Sequence, residues 1–261
     1  MAEMTAAGTA PDVLFWVGCA GSFDDRAKRI TKAIARILNA SDTSFAVLGQ
    51  EESCTGDPAK RAGNEFLYQM QAAQNIATLN GYGIKRIITG CPHCFNVLKN
   101  EYPELGGNYE VLHHTQFIRE LIENGKLRMA DGAPFKGKRI TFHDPCYLGR
   151  GNGEYLAPRE VIQKLDAELL EMRRCKQNAM CCGAGGAQMF KEAEQGDAEV
   201  NHERTNEALE NKPEVIATGC PFCNTMITDG VKNANKESEV EVKDIAELIA
   251  EAADLLDTPA S

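Results

Sequence analysis

Nine of the ten cysteines in this chain follow one pattern written twice. The first copy runs Cys19, Cys54, then Cys91 and Cys94 within Gly90-Cys91-Pro92-His93-Cys94. The second runs Cys146, the adjacent Cys181-Cys182 with Gly183-Ala184-Gly185-Gly186 behind it, then Cys220 and Cys223 within Gly219-Cys220-Pro221-Phe222-Cys223. Pairing Cys19 with Cys146, Cys54 with Cys182, and the two Cys-Pro-X-Cys elements with each other gives a nearly constant displacement along the chain. So steady a shift means two copies of one unit. Thiolates gathered from three places in a chain suit Zn²⁺ or an iron–sulfur cluster. Zinc sites usually draw on two close pairs, whereas here single cysteines lie far apart. The second set offers five thiols where four suffice, which points to a spectator or to a cluster of unusual shape with a bridging thiolate. Gly183, Gly185 and Gly186 would let backbone approach closely and turn amides toward anionic sulfides.

Alternating strands and helices are needed to carry these residues. Val13 to Val17 is an apolar run of strand length ending at Gly18-Cys19. Ser22 with Asp25 resembles a capping box before a helix bearing Ala27, Ile30, Ile34, Ile37 and Leu38 on one face. Ser44 to Leu48 reads as a second strand. Asp57-Pro58 starts a helix expected to reach Leu79, with Asp57 capping free amides. Ile84 to Thr89 delivers Cys91 and Cys94; Tyr109 to Leu112 and a helix from Gln116 to Glu123 follow. The second copy repeats the order: a strand at Arg139 to Phe142 leading to Cys146, and a helix at Ala157 to Leu165. A strand at Ala167 to Met172 follows, then a polar helix from Met189 to Asn211 and the strand Glu214 to Thr218 before Cys220. At the same displacement as the cysteines, Phe117, Ile118 and Leu121 fall on Ile245, Ala246 and Ile249, pairing the last helices. The fold class is therefore α/β: two tandem pseudo-symmetric units, each a small parallel sheet covered by helices. In such sheets, loops leaving the carboxyl ends of strands hold ligands. The expected divisions are a flexible start at 1–12, a first unit at 13–125, a connector at 126–137, a second unit at 138–256 and a frayed tail at 257–261.

A formal net charge of −10 opposes binding to nucleic acid. No run approaches the ~20 apolar residues of a membrane span, and Met1 to Asp12 lacks the basic and apolar regions of a signal peptide. The expected location is cytoplasmic, or the inner face of a membrane reached through partners. In a reducing compartment Cys-X-X-Cys spacing signals metal ligands or redox groups rather than disulfides.

The order Cys, Cys-Cys-Gly, Cys-Pro-X-Cys, with His143-Asp144-Pro145-Cys146-Tyr147 opening the second copy, resembles the tandem cysteine-rich CCG domains of heterodisulfide reductase. The same pair occurs in iron–sulfur subunits related to glycolate, lactate and glycerol-3-phosphate oxidases, and in larger membrane-associated oxidoreductases. Trp16-Val17-Gly18-Cys19-Ala20-Gly21 and Ser53-Cys54-Thr55-Gly56-Asp57 look most like the large membrane-associated members, some serving electron-transferring flavoprotein. The resemblance implies a non-cubane [4Fe–4S] cluster held by Cys146, Cys181, Cys182, Cys220 and Cys223. It leaves the first set, Cys19, Cys54, Cys91 and Cys94, with a conventional cluster, zinc, or nothing. Ser53 stands where the pairing above places Cys181, so a thiolate is missing there.

Other residues carry less. Cys175, between Arg174 and Lys176, has no counterpart; its basic neighbours should favour thiolate. His143 is expected to hydrogen-bond beside the cluster rather than ligate it. His113 and His114 read as strand-end packing. His93 and Phe222 fill the variable places of the two Cys-Pro-X-Cys elements, which argues against an essential histidine. The glycine run is not a nucleotide loop, since cysteines precede it. With no flavin or nicotinamide site and no ferredoxin-type cysteine run in the sequence, electrons must come from another module. The expected partners are ferredoxin-like, flavoprotein or membrane quinone-reactive subunits. The expected role is electron transfer or catalysis in a multi-component oxidoreductase, either reducing a disulfide or relaying electrons toward quinone. The rival is a non-catalytic interaction module stapled by zinc.

Overall fold

The computed structural model describes residues 1–130, 134–192 and 195–256. An apolar run without polar alternation suits a strand covered on both faces. After a short helix α1 (Ala2–Ala6), the run Val13-Leu14-Phe15-Trp16 forms strand β1 (Val13–Trp16), buried at every position. There follow α2 (Gly18–Phe23), α3 (Ala27–Ala40), β2 (Phe45–Ala46), α4 (Asp57–Arg61), α5 (Glu65–Gly81), β3 (Arg86–Thr89), α6 (Pro92–Asn96), β4 (Glu110–His113) and α7 (His114–Glu123). The second unit comprises β5 (Arg139–Phe142), α8 (Leu156–Gln163), β6 (Glu168–Leu170), α9 (Val200–Glu210), β7 (Val215–Thr218), α10 (Pro221–Asn233), β8 (Glu241–Asp244) and α11 (Ile245–Ala252).

Each unit holds one four-stranded parallel sheet, ordered β2-β1-β3-β4 in the first and β6-β5-β7-β8 in the second. From β1 the chain steps to one side for β2, then crosses back for β3. The carboxyl ends of β1 and β3, and equally of β5 and β7, therefore flank a topological switch point, where loops diverge and leave a crevice. Cys19 and Cys91 leave one such crevice, Cys146 and Cys220 the other.

The two sheets are joined through a shared core. Val13, Phe15 and Ile34 of the first unit belong to the same buried cluster as Ile140, Phe142 and Ile249 of the second. Helix α11 packs on α3, and α7 on α8. Arg26 donates to both carboxylate oxygens of Glu247, each at 2.7 Å, and to the Val242 carbonyl at 2.9 Å. The connector takes part, since Leu127 and Phe135 are buried and the Ala130 amide donates to the Ala252 carbonyl at 2.8 Å. Its middle, 131–133 with Gly132, and the expected tail at 257–261 lie outside the described residues.

Local chemistry moves several boundaries. The expected long helix after Asp57 breaks at Gly63, whose φ of +88° suits glycine, and restarts where the Asn64 side chain accepts from the Leu67 amide. Asp57 does not cap; its carboxylate turns inward to His93 and Arg61. Ser22 does not form a capping box, because its hydroxyl bonds the Gly18 carbonyl; Asp24 accepts from the Ala27 amide instead. The polar helix expected from Met189 starts only at Val200, beyond Gly196. Strand β8 was hidden by its polar Glu-Val-Lys-Asp sequence at a sheet edge. Capping boxes at His113 with Gln116 and at Asp244 with Glu247 set α7 against α11 with His113 matched to Asp244. Phe117 thereby corresponds to Leu248 rather than Ile245, so the sequence pairing of these helices slipped by nearly one turn.

Because one core spans both units, Ile249→Ala should cost about 2–5 kcal/mol. Denaturation should still show a single transition for both units; separate transitions by circular dichroism and tryptophan fluorescence, with the only tryptophan in the first unit, would contradict the shared core.

Candidate metal centres

Every sulfur of the pattern is set in place by backbone that its neighbours dictate. Pro92 and Pro221 occupy the first positions of α6 and α10, with Cys91 and Cys220 as the residues before them. That geometry puts Cys94 and Cys223 on the first turn, beside the cysteine that starts it. Cys19 lies on α2, whose leading amides of Val17 and Gly18 donate to the Glu52 carboxylate at 3.1 and 2.6 Å. Burial raises the Glu52 pKa to about 7 against these hydrogen bonds. Gly18, at φ +77°, lies so close that an added Cβ would sit 3.3 Å from Cys94 Sγ. Thiols make contact from Cys19 to Cys54, from Cys91 to Cys94, and from Cys146 through Cys181 to Cys182. Cys182 and Cys223 are 3.3 Å apart, and Cys223 touches Cys220. Cys91 also meets Cys220 across the unit boundary, so the two sets expected as separate centres abut. His113 helps to hold this junction: its Nε2 is 3.0 Å from the Gly219 carbonyl, immediately before Cys220.

Such an array resists full ionisation. Cys54 falls to about 7 because Cys19 donates to it, and contacts with neighbouring thiols hold Cys91 and Cys181 well below the usual thiol range. Donation to an ionised neighbour, reinforced by burial, raises Cys19, Cys94 and Cys146, and pushes Cys182 up to about 12. Burial foremost raises Cys220, while contact with Cys182 leads the rise at Cys223. Nine thiolates packed this closely require positive charge among them. The donor set fits a thiolate-bound metal centre, because metal binding displaces thiol protons and supplies that charge.

The pairing of the two copies is corrected by geometry. The Gly56 amide donates to Cys54 Sγ at 3.4 Å and the Gly183 amide to Cys181 Sγ at 3.3 Å, with φ of +92° and +95° at the two glycines. Cys54 contacts Cys19 just as Cys181 contacts Cys146. Cys54 therefore corresponds to Cys181, and Thr55 to Cys182. Thr55 is 2% exposed and Cys182 3%; the Thr55 hydroxyl is 3.9 Å from Cys94 Sγ, as Cys182 faces Cys223. The missing thiolate is at Thr55, not Ser53. Ser53 turns away, donating its hydroxyl to Asn75 Oδ1 at 2.9 Å, while Asn75 donates to the Cys54 carbonyl at 3.0 Å. Cys-Thr-Gly against Cys-Cys-Gly was the available signal; anchoring on the last cysteine of the pair obscured it.

Other sequence candidates fall into place around the array. Ala184, overlooked, turns its amide toward Cys182, whereas Gly185 and Gly186 lie in an open turn with no atom within 4 Å of an added Cβ. The ring of His93 meets Phe222 edge-on at 5.3 Å and Tyr147 at 4.5 Å, so the two variable positions pack on each other. Asp57 Oδ2, 2.8 Å from His93 Nδ1, and the charge on Cys91 raise the His93 pKa despite burial. Cys175 joins no other thiol, and its pKa is raised: burial and the carboxylates of Glu171 and Asp144 outweigh Arg159 and Lys176. The expected lowering by basic neighbours is reversed. His143 is buried, with a pKa depressed to about 3 by burial and then by Arg204. One ring nitrogen and the sulfurs of Cys182 and Cys223 all lie within 4.8 Å of one another. His114 is 2.9 Å from Asp244, tying the units together beneath the site.

The cysteine-rich domain profile known as CCG matches residues 13–99 and 140–228, so the chain belongs to that family. It is 45% identical to "EtfAB:quinone oxidoreductase" of Syntrophomonas wolfei subsp. wolfei, over 92% of this chain and 34% of that protein. It is also 45% identical to "Probable iron-sulfur-binding oxidoreductase FadF" of Bacillus subtilis, over 96% of this chain and 35% of the other. A third relative belongs to the dihydromethanophenazine:CoB--CoM heterodisulfide reductase of Methanosarcina barkeri, one of whose subunits is 35% identical over 94% of this chain and 59% of its own length. The chain thus spans about a third of the length of the first two relatives and under two thirds of the third. Among the described residues, no helix is long and apolar enough to cross a membrane.

Thr55→Cys should complete a five-thiol first set, while Ser53→Cys should not. Iron and sulfide counts with electron paramagnetic resonance check this. The expected outcome is a first-site spectrum approaching that of the second only in Thr55→Cys.

Proposed function

We propose that this chain is the cluster-bearing, electron-transferring part of a multi-component oxidoreductase, acting between a flavoprotein and quinone. The observation that carries the reading is the five-thiol set of Cys146, Cys181, Cys182, Cys220 and Cys223, buried in part and in mutual contact. The 45% identity to relatives named for EtfAB and quinone, and for iron–sulfur binding, favours that pair of partners over disulfide reduction, which the 35% identical relative represents. Bound by these thiolates, a [4Fe–4S] cluster supplies one-electron storage and transfer. Cys19, Cys54, Cys91 and Cys94 would hold a second group, an iron–sulfur cluster or zinc.

The chain's own residues shape this work. Amides of Gly183 and Ala184 donate to sulfur, which favours charge on Cys181 and Cys182. Tyr147, His93 and Phe222 screen the thiols from water, and Phe190, edge-on to Phe222 at 6.1 Å and 63% exposed, continues this wall to the surface. Cys146 and Cys181 are only half-buried, so a partner covering the Gly183–Gly186 turn could approach the second set closely. In this reading the protein works at the inner face of a membrane through its partners.

Anaerobic purification tests the reading. A brown protein containing iron and sulfide, reducible by viologen yet without turnover on NADH alone, supports it. A colourless protein with stoichiometric zinc would replace it with the zinc-stapled interaction module. Cys182→Ser or Cys220→Ser should abolish the second set's paramagnetic signal and most of the electron transfer, with far-ultraviolet circular dichroism preserved; full iron in both variants would remove these residues from the ligand set.

A further inference from the structure

One donor beside the second set has no acceptor. His143 directly follows β5, and its backbone amide bonds the Ala217 carbonyl at 2.9 Å, so the sheet fixes where the ring begins. The side chain is 1% exposed. Nδ1 is 2.9 Å from Arg204 Nε, whereas Nε2 is buried without a hydrogen-bond partner. A guanidinium can only donate. Nδ1 must therefore accept, and the single proton of the neutral ring resides on Nε2. Arg204 is itself fully buried and anchored, donating to the Arg174 carbonyl at 2.9 Å and to Glu207 at 3.1 Å.

This arrangement decides between two roles. The His143, Cys182 and Cys223 trio has the spacing of a metal site. Ligation through Nε2, however, needs a bare lone pair where Arg204 has placed a proton. We infer that the free Nε2 proton of His143 serves the nearby sulfur ligands Cys182 and Cys223 once their centre is loaded, and that Arg204 is the positioning residue that fixes its tautomer. The redox consequence rests on the iron–sulfur reading above: donation to thiolate sulfur offsets added negative charge, favours the reduced state and raises the potential. The first unit carries a buried donor at the matching place. Trp16, at the end of β1, holds the same place before Cys19 that His143 holds before Cys146. It is fully buried in the cluster that contains Cys91 and Cys94, and its indole Nε1, a group that only donates, also lacks an acceptor.

In the anaerobically isolated full chain, His143→Leu should retain iron and sulfide but lower the second site's midpoint potential in a redox titration followed by electron paramagnetic resonance. His143→Gln, which offers an amide N–H near the Nε2 position, should stay close to the native midpoint. Loss of iron from His143→Leu would mark a ligand and overturn the inference, as would an unchanged midpoint in that variant. If the native protein contains no iron, the iron–sulfur reading fails, and ¹⁵N spectra of labelled histidine decide the donor assignment by themselves. A protonated Nε2 with a bare Nδ1 upholds it; the opposite tautomer overturns it. In the same spectra Arg204→Met should lose the single tautomer, and its retention would remove Arg204 from the assignment.

Discussion

Burial of anionic sulfur is the constraint on which this structure depends. Nine thiols brought together at the carboxyl ends of parallel strands cannot all ionise in a poorly solvated place unless positive charge or hydrogen-bond donors accompany them. Backbone amides are among the donors that the surroundings supply. Amides of Gly56 and Gly183 lie against Cys54 and Cys181, and positive φ at both glycines lets those amides turn inward. Arg204, a buried cation on the side of the second set, is paired with Glu207 and donates to His143. Most of the compensating charge is thus left to whatever the thiolates bind.

Duplication explains how so demanding an array arises from one short motif. Each unit contributes a switch point, a Cys-Pro-X-Cys helix start and a Cys-X-Gly turn. Pseudo-symmetric packing then brings Cys91 against Cys220 and His93 against Phe222. The copies differ at few places close to sulfur: Thr55 stands for Cys182, and Trp16 for His143. Each exchange preserves burial and changes only what the position can do. Threonine's hydroxyl holds its proton far more tightly than a thiol, so the first set keeps the turn while having one thiol fewer.

Much of this was legible in the sequence, and the failures share a cause. Apolar runs such as Val13 to Trp16 identified the central strands, and the cysteine spacing identified the repeat, because both report long-range constraints directly. Capping and alignment were less legible. Asp57 looked like a helix cap until His93, far away in sequence, claimed its carboxylate. Ser53 looked like the lost cysteine because sequence pairing counts residues, whereas the turn is registered by the glycine two places after the sulfur. The basic neighbours of Cys175 were visible, but the carboxylates of Glu171 and Asp144 that outweigh them were not adjacent in a way the local sequence reveals.

In the proposed reading, a duplicated protein can make its two centres unequal without unequal folds. A change in the sheet would disturb the shared core, since α3 and α11 pack across the boundary. A change at Thr55, outside the sheet, leaves the strands and the Cys-Pro-X-Cys helix starts in place and alters the sulfur count of the first set. Directed electron transfer between centres draws on a difference in potential, and Thr55 and His143 lie close enough to the thiols to create one. In the proposed reading, the scaffold fixes the distance between the centres, and these few side chains set the direction of electron flow between them.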